Sequence, residues 1–142
     1  MNKYYKVVRE LGGYRHSCSA QGKAVVLYSD VYFATPPEWL KEKGYGLCVF
    51  DDLDLARKFT QTLPLFSWET IEVWEVEVRD KLPNIYNTYL CSLKLLKKGR
   101  LSPTHFDWPT GTKMFGQVKL TKRVLKKYYD HSLGTYIIKK VK

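Results

Sequence analysis

The strongest constraint on the fold is the alternation of apolar and charged residues in Thr70–Arg79, which reads TIEVWEVEVR. Successive side chains of a β-strand point to opposite faces of the sheet, so this segment predicts a half-buried strand. One face is expected to hold Trp74, Val76 and Val78, and the other Glu75, Glu77 and Arg79. Two apolar residues in succession, Val73 and Trp74, interrupt the alternation and predict a β-bulge. A strand with one polar face is typical of an antiparallel sheet.

Other segments rich in β-branched and aromatic residues predict further strands of this sheet. The first is Tyr4–Arg9, and the Gly12-Gly13 pair predicts a turn directly after it. The remaining predicted strands are Tyr14–Ala20, Ala24–Tyr28 with Val31–Phe33 extending or pairing with it, Gly46–Phe50, Lys113–Leu120 with Thr121–Tyr129 as a continuation, and Tyr136–Lys142. Residues 80–112 predict loops around short elements, and the pattern of 84–96 fits either a helix or a strand.

Two short helices are predicted in the middle of the chain. The first follows Thr35-Pro36-Pro37-Glu38, in which Thr35 is expected at the N-cap, and it ends at Gly44. The second covers roughly residues 52–62 behind an Asp51-Asp52 cap. Its expected buried stripe is Leu53, Ala56, Phe59 and Leu63. Together the pattern predicts a single α+β domain over residues 1–142, with a mostly antiparallel β-sheet and two short α-helices.

Positive charge is concentrated in the last third of the chain. Residues 1–93 hold 11 Lys/Arg and 12 Asp/Glu, whereas residues 94–142 hold 13 Lys/Arg and 2 Asp/Glu, a net charge of −1 against +11. Such a surface attracts polyanions, and 15% of the residues are aromatic rings on which nucleotide bases can stack. A lysine-rich surface without an anionic partner is the alternative interpretation.

Several classes of protein find no support in the sequence. The three cysteines are odd in number and lack zinc spacing, and the three histidines are scattered, so neither a disulfide framework nor a metal site is predicted. Phosphate-binding loops of the P-loop or dinucleotide type are absent from the sequence. The N-terminal residues lack a signal-peptide core, and no apolar run is long enough to cross a membrane, so we expect a cytoplasmic protein without a membrane partner.

One constellation permits enzymatic chemistry. Glu75 and Glu77 share one face of their strand, and ADP-ribosyltransferases use a similar Glu-x-Glu together with an arginine and a serine, which Arg9 and Ser17 imitate in order. An ADP-ribosyltransferase-like or NAD-processing enzyme is therefore an alternative function. A solvent-facing pair of glutamates is the simpler explanation of the same residues.

Phosphate binding by cations and rings is the other chemistry that the sequence permits. Arg57 has the fork geometry that suits a pyrophosphate, although it stands three residues after Asp54 and a surface ion pair explains it equally well. The loop-rich residues 80–112, together with the adjoining Lys113, combine aromatic and basic side chains that form a candidate base-stacking pocket. The candidate ligand-binding residues there are Tyr86, Asn87, Arg100 and Lys113, and Lys23 and Thr35 are candidates for a second site.

A set of segments carries a family resemblance: YKVVR near the start, the block from Tyr28 to Phe59 containing ATPPEWLKEKGYGLCVFDDLDLARKF, Ile71–Val78, and Gly111–Leu120. In their order, over about residues 4–125, they resemble small phage proteins that counter the bacterial Thoeris defence by sequestering its cyclic ADP-ribose signals. The resemblance implies a non-enzymatic sponge that binds glycocyclic ADP-ribose in pockets completed by two protomers. Some members also hold cyclic oligonucleotides.

The resemblance also implies where the protein acts and which residues matter. A homodimer or higher homo-oligomer in the cytoplasm of an infected bacterial cell is expected, with no cofactor. Arg57 falls on the helix that in this family supplies a phosphate-contacting arginine. A general nucleic-acid-binding module remains a further alternative, ranked lower because no RRM, KH, helix-turn-helix or zinc motif is present.

Overall fold

The computed structural model describes residues 2–17, 26–42, 46–63, 65, 68–82 and 111–141. Within these ranges the chain is α+β, with a mostly antiparallel sheet, as the sequence predicts. The elements are β1 (Tyr4–Leu11), β2 (Tyr14–Ser17), β3 (Leu27–Tyr28), α1 (Glu38–Glu42), β4 (Leu47–Phe50), α2 (Leu53–Thr62), β5 (Thr70–Leu82), β6 (Thr112–Asp130) and β7 (Thr135–Lys140).

The sheet is organised around the long strands β5 and β6. β5 lies between β1 and β6, and β6 pairs along its other edge with β4 near its start and with β7 near its end. β1 continues the sheet to β2, and β2 to β3. A pairing between Tyr5 and Phe50 joins β1 to β4, so β1, β5, β6 and β4 form a closed circuit of antiparallel pairs.

The two faces of the sheet carry separate hydrophobic cores. The inner face holds Val8, Trp74 and Val118, which pack with residues from β3 and β4 inside the curled sheet. The opposite face, here called the helix face, holds Val7 and Val73, which pack against α2. Alternate residues of β1 and β5 enter different cores, so the period-2 pattern of the sequence determines which residues each of the two cores receives.

Helix α2 confirms the prediction made from its local sequence. Asp52 is the N-cap, and its side chain accepts hydrogen bonds from the backbone N–H groups of Asp54 and Leu55. Ala56 is fully buried, and the other three residues of the predicted stripe pack against the same core. At the other end of the helix, Lys127 Nζ donates to the carbonyl oxygens of Thr60 and Leu63, at 3.0 and 2.9 Å.

The start of α1 differs from the prediction. The helix begins at Glu38, so Thr35 is an exposed residue before the helix and not its N-cap. The residue before a proline avoids the helical region, and two successive prolines therefore delay the helix until after Pro37. Ala34 also pairs with Val118 of β6 through two backbone hydrogen bonds, which keeps this stretch extended.

The remaining strand predictions are mostly confirmed, with shifted ends. Residues 31–33 form a bend and not a strand, with Val31 79% exposed. The predicted bulge is present, because the β5–β6 register shifts between Val73 and Trp74 and again between Glu75 and Val76. β6 runs unbroken for 19 residues, so the proposed continuation past Leu120 is correct. Predictions for residues 18–25 and 83–110, and the predicted end of the first helix at Gly44, lie outside the described residues.

Candidate anion-binding site

The inner face holds a buried carboxylate that is bound by two arginines. Glu72 of β5 is 1% exposed. Its Oε1 accepts from Arg15 Nε at 2.7 Å and from Trp74 Nε1 at 3.0 Å, and its Oε2 accepts from Arg123 Nη1 at 2.7 Å. A carboxylate removed from water is costly unless it is paired and hydrogen-bonded, and this arrangement supplies both conditions.

Strand register brings these side chains together. Arg123 of β6 is paired with Trp74, the next inner-face residue after Glu72, so it lies diagonally across the β5–β6 pair. Arg15 of β2 comes from the other direction. Ser17 is paired with Val8, and Val8 with Glu72, so Arg15 crosses the small Val8 side chain to reach the carboxylate.

The electrostatics keep the cluster charged at neutral pH. Burial alone would raise the pKa of Glu72, but the hydrogen bonds from Trp74, Arg123 and Arg15 outweigh burial and lower this pKa below its ordinary value. Two guanidinium groups and one carboxylate therefore leave a net charge of +1. The guanidinium of Arg15 also lies 5.0 Å from the centroid of the Trp74 ring, in a cation–π contact.

The arginines are held in place but remain accessible. The side chain of Arg15 is 30% exposed and that of Arg123 is 35% exposed, whereas that of Glu72 is 1% exposed. A guanidinium carries five N–H donors, and Glu72 accepts through one nitrogen of each arginine. The hydrogen bonds among the described residues thus leave N–H donors of both groups for an anion, and the guanidinium fork matches the geometry of phosphate as well as that of carboxylate.

Arg57 and Lys113, two of the predicted ligand-binding residues, lie at a different place. Arg57 is on the exposed side of α2, where its Nη2 donates to Asp54 Oδ1 at 2.9 Å, the ion pair that the sequence offered as the alternative. Lys113 Nζ is 3.9 Å from Asp51 Oδ2, just before the same helix. Tyr86, Asn87, Arg100 and Lys23 lie outside the described residues.

The residues of the enzymatic alternative are not brought together. Arg9 lies on the helix face and donates to Glu69, whereas Ser17 lies on the inner face and donates to Tyr28. Arg9 is paired with Ile71, four residues from Glu75, which places the two roughly 13 Å apart along the sheet. Glu75 forms a surface ion pair with Lys3 at 3.4 Å. Glu77 is exposed and lies farther still from Arg9.

No family model, curated protein or solved structure matches this chain. Among the described residues, no helix has the length and apolar character needed to cross a membrane. The same residues include no group of three or more histidine, cysteine, aspartate or glutamate side chains placed to hold a metal ion. The geometry of the described side chains is therefore the basis for a functional proposal.

Sequence reasoning missed the buried cluster, although one signal for it was available. The alternation that places Trp74 on the buried face places Glu72 there too. A carboxylate in the middle of an apolar face requires basic partners, so a buried ion pair was foreseeable. The identity of those partners was not, because Arg15 and Arg123 are 57 and 51 residues away along the chain.

Proposed function

We propose that this protein is a non-enzymatic binding protein that sequesters a small phosphate-bearing nucleotide of the cyclic ADP-ribose type. In this role it would act as a sponge, removing an immune signal of the bacterial anti-phage defence inside the infected cell. The observation that carries the proposal is the pair of half-exposed arginines fixed on the buried Glu72. The family resemblance of the sequence supplies the class of ligand.

Fixed cations suit a protein that must bind tightly without catalysing a reaction. Nanomolar binding requires about −12 kcal/mol. A charge-assisted hydrogen bond contributes about 1.5–3 kcal/mol, and a base stacked on an aromatic ring adds about 1–3 kcal/mol. Because Glu72 already restrains Arg15 and Arg123, less side-chain freedom is lost when a pyrophosphate binds to them.

There are two candidate positions for the phosphate groups of the ligand. One is the inner-face cluster of Arg15 and Arg123, and the other is the surface around the start of α2, with Arg57 and Lys113. At the second position each cation has an aspartate of its own, whereas Arg15 and Arg123 share one carboxylate and keep a net charge of +1. We place the phosphates at the inner-face cluster, in a homodimer or larger assembly as the resemblance implies.

A retention experiment tests the function directly. The protein is mixed with cyclic ADP-ribose isomers, cyclic oligonucleotides and NAD, freed of unbound ligand by filtration and then denatured by heat. Chromatography identifies what is released. One intact compound recovered near one per protomer supports the sponge. A chemically altered compound would instead indicate an enzyme, and failure to retain any of them would overturn the proposal.

Single variants locate the site. In Arg123→Ala the loss of one charge-assisted contact predicts a Kd weakened by about 10- to 150-fold. Arg79→Ala is the matched control, because Arg79 is an exposed arginine of β5 whose guanidinium lies over the Phe33 ring, 3.9 Å from its centroid. If Arg57→Ala weakens binding and Arg123→Ala does not, the ligand lies at α2 and the inner-face assignment is wrong.

A further inference from the structure

Positive charge on the inner face continues beyond the two arginines onto the hairpin of β6 and β7. Lys126 is paired directly with Glu72, and Lys139 of β7 is paired directly with Lys126. Directly paired residues share a face, so both lysines lie on the same face as Glu72. Together with the arginines they form a basic strip, defined as Arg15, Arg123, Lys126 and Lys139.

The two lysines lie on neighbouring strands in one cross-strand line with Glu72, to which both arginines are bound. Neighbouring strands are about 4.8 Å apart, so the backbone positions of Glu72 and Lys139 are separated by roughly 10 Å. The two arginines bind Glu72, but neither lysine forms an ion pair with a carboxylate of the described residues. The other carboxylate beside the strip, Glu10, accepts hydrogen bonds from Thr70 and from the backbone of Gly13.

The pairing of Lys126 with Lys139 is unfavourable for the isolated fold. Directly opposed residues of an antiparallel pair have Cβ atoms about 4.5–5.5 Å apart, and like charges at this distance destabilise the sheet. A bound row of phosphates would turn this repulsion into attraction. Tyr128 adds an aromatic ring at the strip, with Lys126 Nζ 5.6 Å from its centroid, and it is partly exposed.

We propose that the basic strip binds the backbone of a single-stranded nucleic acid across β5, β6 and β7. The four neighbouring cations contact phosphates of the backbone, and Tyr128 offers a surface on which an unpaired base stacks. Arg123, Lys126 and Lys139 belong to the basic last third of the chain, so this binding gives part of that positive charge a function. This surface overlaps the proposed small-nucleotide site at Arg15 and Arg123 and goes beyond it through Lys126 and Lys139.

The test uses a fluorescently labelled oligothymidylate of about eight nucleotides, within the site sizes typical of single-strand binders. Fluorescence anisotropy measures its Kd at several salt concentrations. Four phosphate contacts to a single strand predict a log–log slope of about −3, so the affinity falls about 50-fold between about 50 and 200 mM salt. A slope near zero, or no binding at low salt, overturns the proposal.

A matched pair of double variants separates the strip from general charge. Lys126→Glu with Lys139→Glu is expected to weaken binding at least about tenfold and to reduce the salt slope by about half. The control, Lys122→Glu with Lys140→Glu, makes the same charge change on the same two strands. Its residues lie on the helix face, where they are paired with Glu75 and Leu125. Equal losses in both variants overturn the strip as the binding surface.

Three further measurements test the class of ligand, the stability of a variant and the independence of the two proposals. Tighter binding of a duplex than of the single strand, or binding of inorganic polyphosphate alone, overturns the assignment to single-stranded nucleic acid. Lys139→Gln relieves the like-charge pair, so it should weaken binding without lowering the melting temperature. The retention experiment on the Lys126/Lys139 variant keeps the two proposals apart, because small-nucleotide capture should persist there if Arg15 and Arg123 alone carry it.

Discussion

Replacing Glu72 by glutamine tests the role of the buried carboxylate in the fold. The substitution keeps the shape of the side chain but removes the charge that Arg15 and Arg123 share. One of the two oxygens becomes an amide nitrogen that only donates, so one arginine loses its acceptor, and the charge-assisted hydrogen bond to the other, about 1.5–3 kcal/mol, becomes an ordinary one of about 0.5–1.5 kcal/mol. Removal of one partner of a fully buried ion pair costs about 3–5 kcal/mol, and water around the half-exposed arginines reduces this figure.

We therefore expect Glu72→Gln to lower the free energy of unfolding by about 2–3 kcal/mol. Urea denaturation at neutral pH measures the change, with the midpoint and slope compared between the two proteins. Glu77→Gln is the control, because Glu77 is exposed on the same strand and its substitution should change stability by less than about 0.5 kcal/mol. A loss below about 1 kcal/mol for Glu72→Gln would refute the reasoning.

The pH dependence of the same pair of proteins provides a second measurement. The pKa of Glu72 is lower in the folded than in the unfolded chain, so its ionised form stabilises the fold above the ordinary carboxyl range. That contribution is lost as the pH falls through the folded-state pKa. The stability gap between the wild type and Glu72→Gln should therefore narrow on acidification, and a gap that stays constant down to the acid transition would contradict the ionised state.

Three further predictions concern other described residues. Gly111→Ala should destabilise by about 2 kcal/mol or more in urea, because φ is +84° and the new Cβ would lie 2.4 Å from Leu55 Cδ1, whereas Gly12→Ala meets nothing within 4 Å and should cost only about 1 kcal/mol. Lys127→Met should lower the free energy of unfolding by about 1–3 kcal/mol, because it removes the ammonium donor from the carbonyls of Thr60 and Leu63 at the end of α2 and leaves Thr60 only the backbone N–H of Leu63. Burial raises the pKa of the Cys48 thiol to about 11 despite an opposing effect of Lys6, so peptide-resolved alkylation near pH 8 should be about 100-fold slower in the folded than in the unfolded protein. Equal rates would show that this thiol is not shielded.

Local physics explains what the sequence predicts well. The alternation in Thr70–Arg79 defines a strand and both of its faces, and the cap at Asp52 fixes the start of α2, since both signals lie within a few residues. The predicted start of α1 was wrong, because the backbone of Ala34 pairs with Val118 of β6, more than 80 residues later in the chain. A pairing of that kind leaves no trace in a short window of sequence.

The candidate site was also predictable from the sequence only in part. Arg57 was singled out by its position on a helix, and that helix is present, but whether Arg57 binds a ligand stays a prediction. The cluster around Glu72 is assembled from β2, β5 and β6, so it depends on strand register that the pattern of apolar residues does not specify. A charged residue in phase with a buried face is the feature that most directly foretells such a cluster.

The position of β6 also has a consequence for how the chain acquires its structure. β6 pairs with β4, β5 and β7, and its pairing with β4 joins residues 62 to 68 positions apart. Contacts of such long range close slowly, because the entropy of a large loop is lost before the strands stabilise one another. Until β6 docks, the backbone N–H and C=O groups along the edges of β4 and β5 that pair with it have no partner strand. The interval before that docking is the period in which this chain is most exposed to aggregation through its strand edges.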